Sequence, residues 1–124
     1  WEWLENALRQ SSADQRLMAL HYPPYREDAA EPAGDYWTLE TEPRSRLLSL
    51  ARAHGVRLIL SGHLHSPKAS SYDGIALLTA PSVAFGLPIG VQPHGWMMVT
   101  INASGKVRSD LRYPSGELTS SPPE

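Results

Sequence analysis

The sequence predicts an α/β fold, a β-α-β unit followed by antiparallel hairpins. Three observations carry this. Two short apolar runs, residues 16–20 and 56–60, each stop just short of a histidine. A helix signal lies between them. Two further pairs of strand-like runs follow, each pair joined by a turn sequence.

In chain order, Trp1, Leu4 and Leu8 recur at helical spacing, and Ser11-Ser12-Ala13-Asp14 breaks that period. Arg16-Leu17-Met18-Ala19-Leu20 reads as a strand that stops on His21, because Pro23 and Pro24 have no backbone N–H to continue a ladder. Residues 22–41 are rich in Pro, Gly, Asp and Glu. A loop of that length in a compact domain is either functional or disordered, and its origin at His21 points to an active-site rim. Thr41 as N-cap, Pro43 in the first turn, Leu47, Leu48 and Ala51 on one face, and His54-Gly55 as the stop define the central helix.

Val56 to Leu60 is the second strand. A right-handed crossover makes it parallel to the first. Lys68 to Tyr72 and Ile75 to Thr79 flank Asp73-Gly74, a strong hairpin signal, and residues 96–101 and 106–112 flank residues 102–105 in the same way. These four strands are expected to form an antiparallel sheet after the β-α-β unit. The Ser, Pro and Gly content of residues 114–124 predicts a disordered tail, and there is no internal repeat.

The chemistry sits at the strand ends. In open α/β sheets ligands bind beyond the carboxyl ends of the strands, and the parallel pairing brings His21, His63 and His65 to that one edge. In extended chain, residues at i and i+2 point the same way, roughly 6.5–7 Å apart, so His63 and His65 are expected to line one side of a cavity. Imidazoles so placed suit a metal ion. The plain alternatives are a polar loop after a buried strand for His63 and His65, and a strand-end histidine bonded to backbone for His21. His54 reads as structural, since a helix C-terminus favours a histidine. His94, in the Pro93-His94-Gly95 loop, joins Tyr22 and Arg26 as a candidate for the rim of the site. Tyr36 and Trp37 offer stacking surfaces on the long loop.

Composition narrows the function classes. With 124 residues and 41% apolar side chains the chain has room for one core. A net charge of −2 supplies no basic patch for duplex nucleic acid, so attraction of an anionic ester falls to bound metal. The absence of cysteine excludes disulfide and thiolate chemistry. No run has the apolar length of a membrane span, no signal segment is visible, and the compartment is left open.

Leu20-His21-Tyr22-Pro23-Pro24 and Gly62-His63-Leu64-His65 together resemble the calcineurin-like metallophosphoesterases, whose second half carries a strand ending in His and a later Gly-His-x-His. The resemblance runs from about Trp1 to Tyr113. The helix around Trp3-Leu4-Glu5, the Thr79-Ala80-Pro81-Ser82 turn and the strand starting at Gly95-Trp96 look like its cyclic-nucleotide phosphodiesterase branch. It implies that residues 1–113 are the C-terminal half of a β-sandwich domain flanked by helices. It also implies two divalent metal ions (Mn, Fe or Zn) for hydrolysing phosphate esters, with His21 and His63 on one metal and His65 on the other. Where many relatives have a further histidine, this chain has Tyr22.

The family completes its site with Asp-x-His, Gly-Asp-x-x-Asp and Gly-Asn-His from its first half. None of these occurs here; Gly34-Asp35 meets Thr38 where a carboxylate is needed. Two strands apolar on both faces, with only two convincing helices, give the same indication, because one covering layer is missing. The chain alone is expected to be inactive and to need the N-terminal half of its domain as partner. An open sheet edge would otherwise invite oligomers or aggregation. A mononuclear three-histidine site and a non-catalytic binding or assembly module stand as the alternatives.

Overall fold

A computed structural model describes residues 1–33 and 36–114 of the chain. Apart from Pro114, the expected tail lies outside the described residues. Helix α1 spans Glu2–Gln10, with Glu2 and Glu5 in its first turn and Arg9 in its last, charges that complement the helix dipole. Strand β1 (Arg16–Ala19) leads through the long loop to α2 (Thr41–Ala53). Thr41 is the first helical residue and Glu40 the cap, one position earlier than expected, and no side chain caps the helix. The stop is as anticipated: His54 ends α2 and Gly55 takes a φ of 65°, a left-handed conformation natural to glycine.

Strands β2 (Val56–Ser61), β3 (Lys68–Tyr72), β4 (Ile75–Thr79), β5 (Trp96–Ile101) and β6 (Val107–Arg112) follow. The β-α-β unit forms with its strands parallel, Met18 opposite Ile59. The four later strands depart from expectation. They do not make one antiparallel sheet: β4 lies parallel to β2, giving a mixed sheet of order β1-β2-β4-β3, and β5 and β6 pair only with each other. Burial explains the difference. Nearly all of Ile75-Ala76-Leu77-Leu78-Thr79 is buried, so β4 needs a strand on each side, whereas the polar, exposed β3 suits an edge.

On one face of the mixed sheet, Met18, Val56, Ile59, Ile75 and Leu77 pack with Leu8 of α1 and Leu47, Leu48 and Ala51 of α2. The β5-β6 hairpin lies along the other face. Its turn meets the start of the sheet, where Gln15 donates to the Ala103 carbonyl at 3.4 Å, and its open end meets the far side, where Gly95 N–H donates to Ser82 O at 2.9 Å. Leu58, Leu78 and Leu111 are buried outside the helix-side cluster. The second face is therefore partly covered, not bare. Its uncovered margin is at β1, an edge strand whose Leu17 remains 53% exposed.

This layering predicts unequal costs for two neighbouring apolar residues. Ile59→Ala should destabilise by about 2–5 kcal/mol in urea unfolding, because a filled site in the core becomes a cavity. Leu17→Ser should change stability by no more than about 0.5 kcal/mol.

Candidate metal centre

The parallel ladder runs on past the end of β1. Leu20 N–H donates to Leu60 O (3.0 Å) and Gly62 N–H donates to His21 O (3.0 Å), so the residues that follow β1 and β2 are held side by side. This is what brings His21 against His63. Their rings meet edge to face at 4.8 Å, with His63 Nδ1 2.9 Å from His21 Nε2.

The hydrogen bonds fix which nitrogen does what. A carbonyl only accepts, so His63 Nε2–H donates to Tyr36 O at 2.7 Å, and in the neutral ring Nδ1 keeps its lone pair and accepts from His21 Nε2–H. By the same logic His65 Nδ1–H donates to Phe85 O at 3.0 Å, which leaves Nε2 as its ligating atom. An imidazole oriented through its other nitrogen by a backbone carbonyl is the usual second shell of a metal-binding histidine.

Backbone geometry differs from the expected extended chain. His63 and His65 have φ of 68° and 54°, left-handed values uncommon outside glycine, and Gly62 is not among the positive-φ residues. The two side chains accordingly do not line one wall as successive same-side residues of a strand. His63 turns to His21, while His65 lies against the Phe85 ring at 4.6 Å and accepts Leu87 N–H at its own carbonyl (3.0 Å). No hydrogen bond or ring contact joins His65 to the pair, and no group of three His, Cys, Asp or Glu suited to one metal ion forms among the described residues.

A divalent cation fits the pair. Metal–nitrogen bonds of about 2.0–2.1 Å set two nitrogens about 2.9 Å apart at an octahedral right angle and about 3.3 Å apart at a tetrahedral angle, so the 2.9 Å between His63 Nδ1 and His21 Nε2 suits an octahedral ion once the His21 proton moves to Nδ1. Both atoms are imidazole nitrogens, suited to zinc, iron or manganese. In the metal-free chain the proton shared between them holds the same spacing.

The rim candidates separate. Tyr22 packs at 4.2 Å from the His63 ring, with Tyr36 at 4.7 Å and Trp37 at 5.7 Å, so three aromatic rings surround this histidine. Arg26, Trp37, Leu64, Ser66, Lys68, Leu87 and Pro88 line an adjoining cavity of about 470 Å³. Lys68 is engaged by the Glu27 carboxylate and the Arg26 carbonyl, and no such partner meets the Arg26 guanidinium among the described residues. His94 is exposed, and no hydrogen bond or ring contact joins it to the cluster among the described residues. His54 ends α2, and its backbone carbonyl accepts from Arg16 at 3.3 Å.

Two residues that hold the rim were missed by sequence reading. Arg44 is fully buried and donates to four carbonyls of the long loop, those of Ala29, Glu31, Pro32 and Leu39. Its signal was present, since positions 44, 47, 48 and 51 form one helical stripe and an arginine on an apolar stripe requires partners. Glu31 accepts the backbone N–H groups of Arg26, Glu27 and Asp28. Burial alone would raise its carboxyl pKa, but these three donors and the Arg44 charge outweigh that and hold it below the ordinary value. No local pattern announces Glu31.

No protein-family model matches the chain. It is 31% identical over 96 residues to a probable cyclic nucleotide phosphodiesterase of Rhodococcus erythropolis, covering 76% of this chain and 30% of that protein. It is 28% identical over 105 residues to the serine/threonine-protein phosphatase CPPED1 of Homo sapiens, covering 82% and 33%. To the 3',5'-cyclic adenosine monophosphate phosphodiesterase CpdA of Escherichia coli K12 it is 26% identical over 124 residues, covering 89% and 42%. The chain thus spans well under half the length of these relatives.

The depressed Glu31 carboxyl makes the rim acid-sensitive. Its contribution is complete above the ordinary value of 4.5 and lost as pH falls through the lowered one. Hydrogen-exchange protection of the Arg26, Glu27 and Asp28 amides should therefore decline below pH 4.5. In Glu31→Gln that protection should be weaker at neutral pH and nearly independent of acidification.

Proposed function

The chain belongs to the calcineurin-like metallophosphoesterase family, and on that premise we propose that it supplies three histidine ligands to a two-metal centre that hydrolyses phosphate esters. One observation carries the reading: His63 Nδ1 and His21 Nε2 lie 2.9 Å apart beyond the ends of two parallel strands. His21 and His63 would hold one ion through these atoms and His65 the other through Nε2. The arrangement of a pair and a separate third histidine supports two ions over a single three-histidine ion. Divalent ions so held, whether manganese, iron or zinc, would bind phosphoryl oxygens and activate a water.

The chain's own residues do the rest. Tyr36 O and Phe85 O keep His63 and His65 turned with the correct nitrogen outward. Tyr22, Tyr36 and Trp37 pack around the His63 ring. Arg26, at the cavity beside them, would pair with an anionic ester, and the apolar walls of Leu64, Leu87 and Pro88 with the Trp37 indole would suit a planar substituent. A phosphodiester carrying a nucleobase meets both requirements. The carboxylates and further ligands absent from this sequence would come from a preceding segment of the same domain, in keeping with the share of its relatives that the chain spans.

In the protein that includes that segment, His63→Ala and His65→Ala should each lower metal-dependent hydrolysis of a chromogenic phosphodiester by more than about 100-fold. Undiminished turnover in both would overturn the reading. Trp37→Ala should raise KM for a cyclic nucleotide by about 5- to 150-fold, the loss of one base-stacking contact of about 1–3 kcal/mol, and leave KM for a small alkyl phosphodiester unchanged.

A further inference from the structure

Arg44 is an arginine with no exposed surface, on the α2 face that packs against the sheet. Its partners all belong to the loop that carries the aromatic residues around His63. Nη1 donates to Ala29 O (3.2 Å) and Glu31 O (2.6 Å), and Nη2 donates to Pro32 O (3.3 Å) and Leu39 O (3.0 Å). Pro32 precedes and Leu39 follows Tyr36 and Trp37 in the chain, so one planar group holds a carbonyl on each side of them. Leu39 N–H in turn donates to Pro23 O at 3.2 Å, which seats the end of that loop beside His21-Tyr22.

Among the described residues of this loop, the Tyr36 carbonyl is the hydrogen-bonding group that meets the histidine pair, and it accepts from His63 Nε2–H at 2.7 Å. A backbone acceptor is where the chain path puts it. We propose that Arg44 is a positioning residue for His63: by holding the Pro32 and Leu39 carbonyls it sets the Tyr36 carbonyl against His63 Nε2, locks the Nε2–H tautomer, and leaves the Nδ1 lone pair facing His21. The guanidinium suits this task because its N–H groups diverge in one plane, and a lysine ammonium at the same place is a point charge that cannot reach both carbonyls. What that lone pair serves rests on the metal-centre reading; which tautomer His63 adopts does not.

The test uses the protein that includes the preceding segment, metal-free and at a pH where His63 is neutral. Imidazole ¹⁵N shifts report the tautomer, and titration with manganese or zinc reports affinity. The wild type should show His63 as a single Nε2–H tautomer. Arg44→Lys, at a temperature well below its unfolding midpoint and with an unchanged far-UV spectrum, should show mixed tautomers and bind metal about 10- to 100-fold more weakly. A purely structural role would lower the midpoint but leave tautomer and affinity as in the wild type, and that result overturns the proposal. An Nδ1–H tautomer in the wild type overturns it whatever the variant does, so a variant that fails to fold does not protect it. A wild type with the Nε2–H tautomer that Arg44→Lys disturbs, but with no metal uptake, supports the positioning role and overturns the metal-centre reading.

Discussion

Everything about the site depends on the parallel pairing of β1 with β2 in one register. Parallel strands run in the same direction, so the segments leaving them emerge at the same edge of the sheet, and only the register decides which residues then meet. Here Ala19 lies opposite Leu60, and two more backbone bonds beyond the strand place His21 beside Gly62. A slip of one residue would turn the alternate side chains to the opposite face. Ile59 and Met18 would leave the core they share with α2, so the packing that stabilises the sheet also fixes the approach of the histidines. Fold and site are specified by the same contacts.

The long loop raises a second physical problem, which is how twenty or so residues without a ladder satisfy their backbone groups. Two charged side chains do much of this from opposite ends of the valence. Arg44 supplies N–H donors to four carbonyls, and the Glu31 carboxylate accepts three N–H groups. Charge-assisted bonds of this kind are stronger than neutral ones, and each charge is dispersed over several peptide dipoles. That is how an arginine is accommodated with no exposed surface at all. The loop becomes a shaped rim, with aromatic rings aimed at His63, because its backbone is anchored on a helix that is itself part of the core.

Much of this was legible in the sequence. Apolar runs, the Leu47-Leu48-Ala51 stripe and the turns at Asp73-Gly74 and residues 102–105 located each helix and strand among the described residues, since each is a local signal of period or turn. The partner of β4 was not legible. Ile75 to Thr79 follows a hairpin turn, which predicts antiparallel pairing with β3, and says nothing of the parallel pairing with β2 that its burial on both faces demands. At the site, the residue types and the strand ends were readable, but the ring orientations were not. Phe85 and Tyr36 act through their carbonyls, and a carbonyl leaves no mark on the sequence. Arg44 was visible as an anomaly on an apolar stripe, yet only the folded loop shows what it holds.

The left-handed backbone at His63 and His65 ties these points together. A non-glycine residue in that region costs about 1–2 kcal/mol, so two of them within three residues persist only where the surroundings over-determine the conformation. The surroundings do so from three directions. Leu64 is buried, which anchors the middle of the turn, and its N–H closes on Gly62 O at 2.8 Å. His63 is held through its ring by the Tyr36 carbonyl, and His65 through both its ring and its own carbonyl by residues 85–87. An extended path through the same sequence would avoid the strain and send both imidazoles to one side. The strained path instead sends them to different partners, one ring to His21 and the other to the 85–87 loop, and gives the Gly-His-x-His sequence the two separated donor positions that the proposed two-ion centre would use.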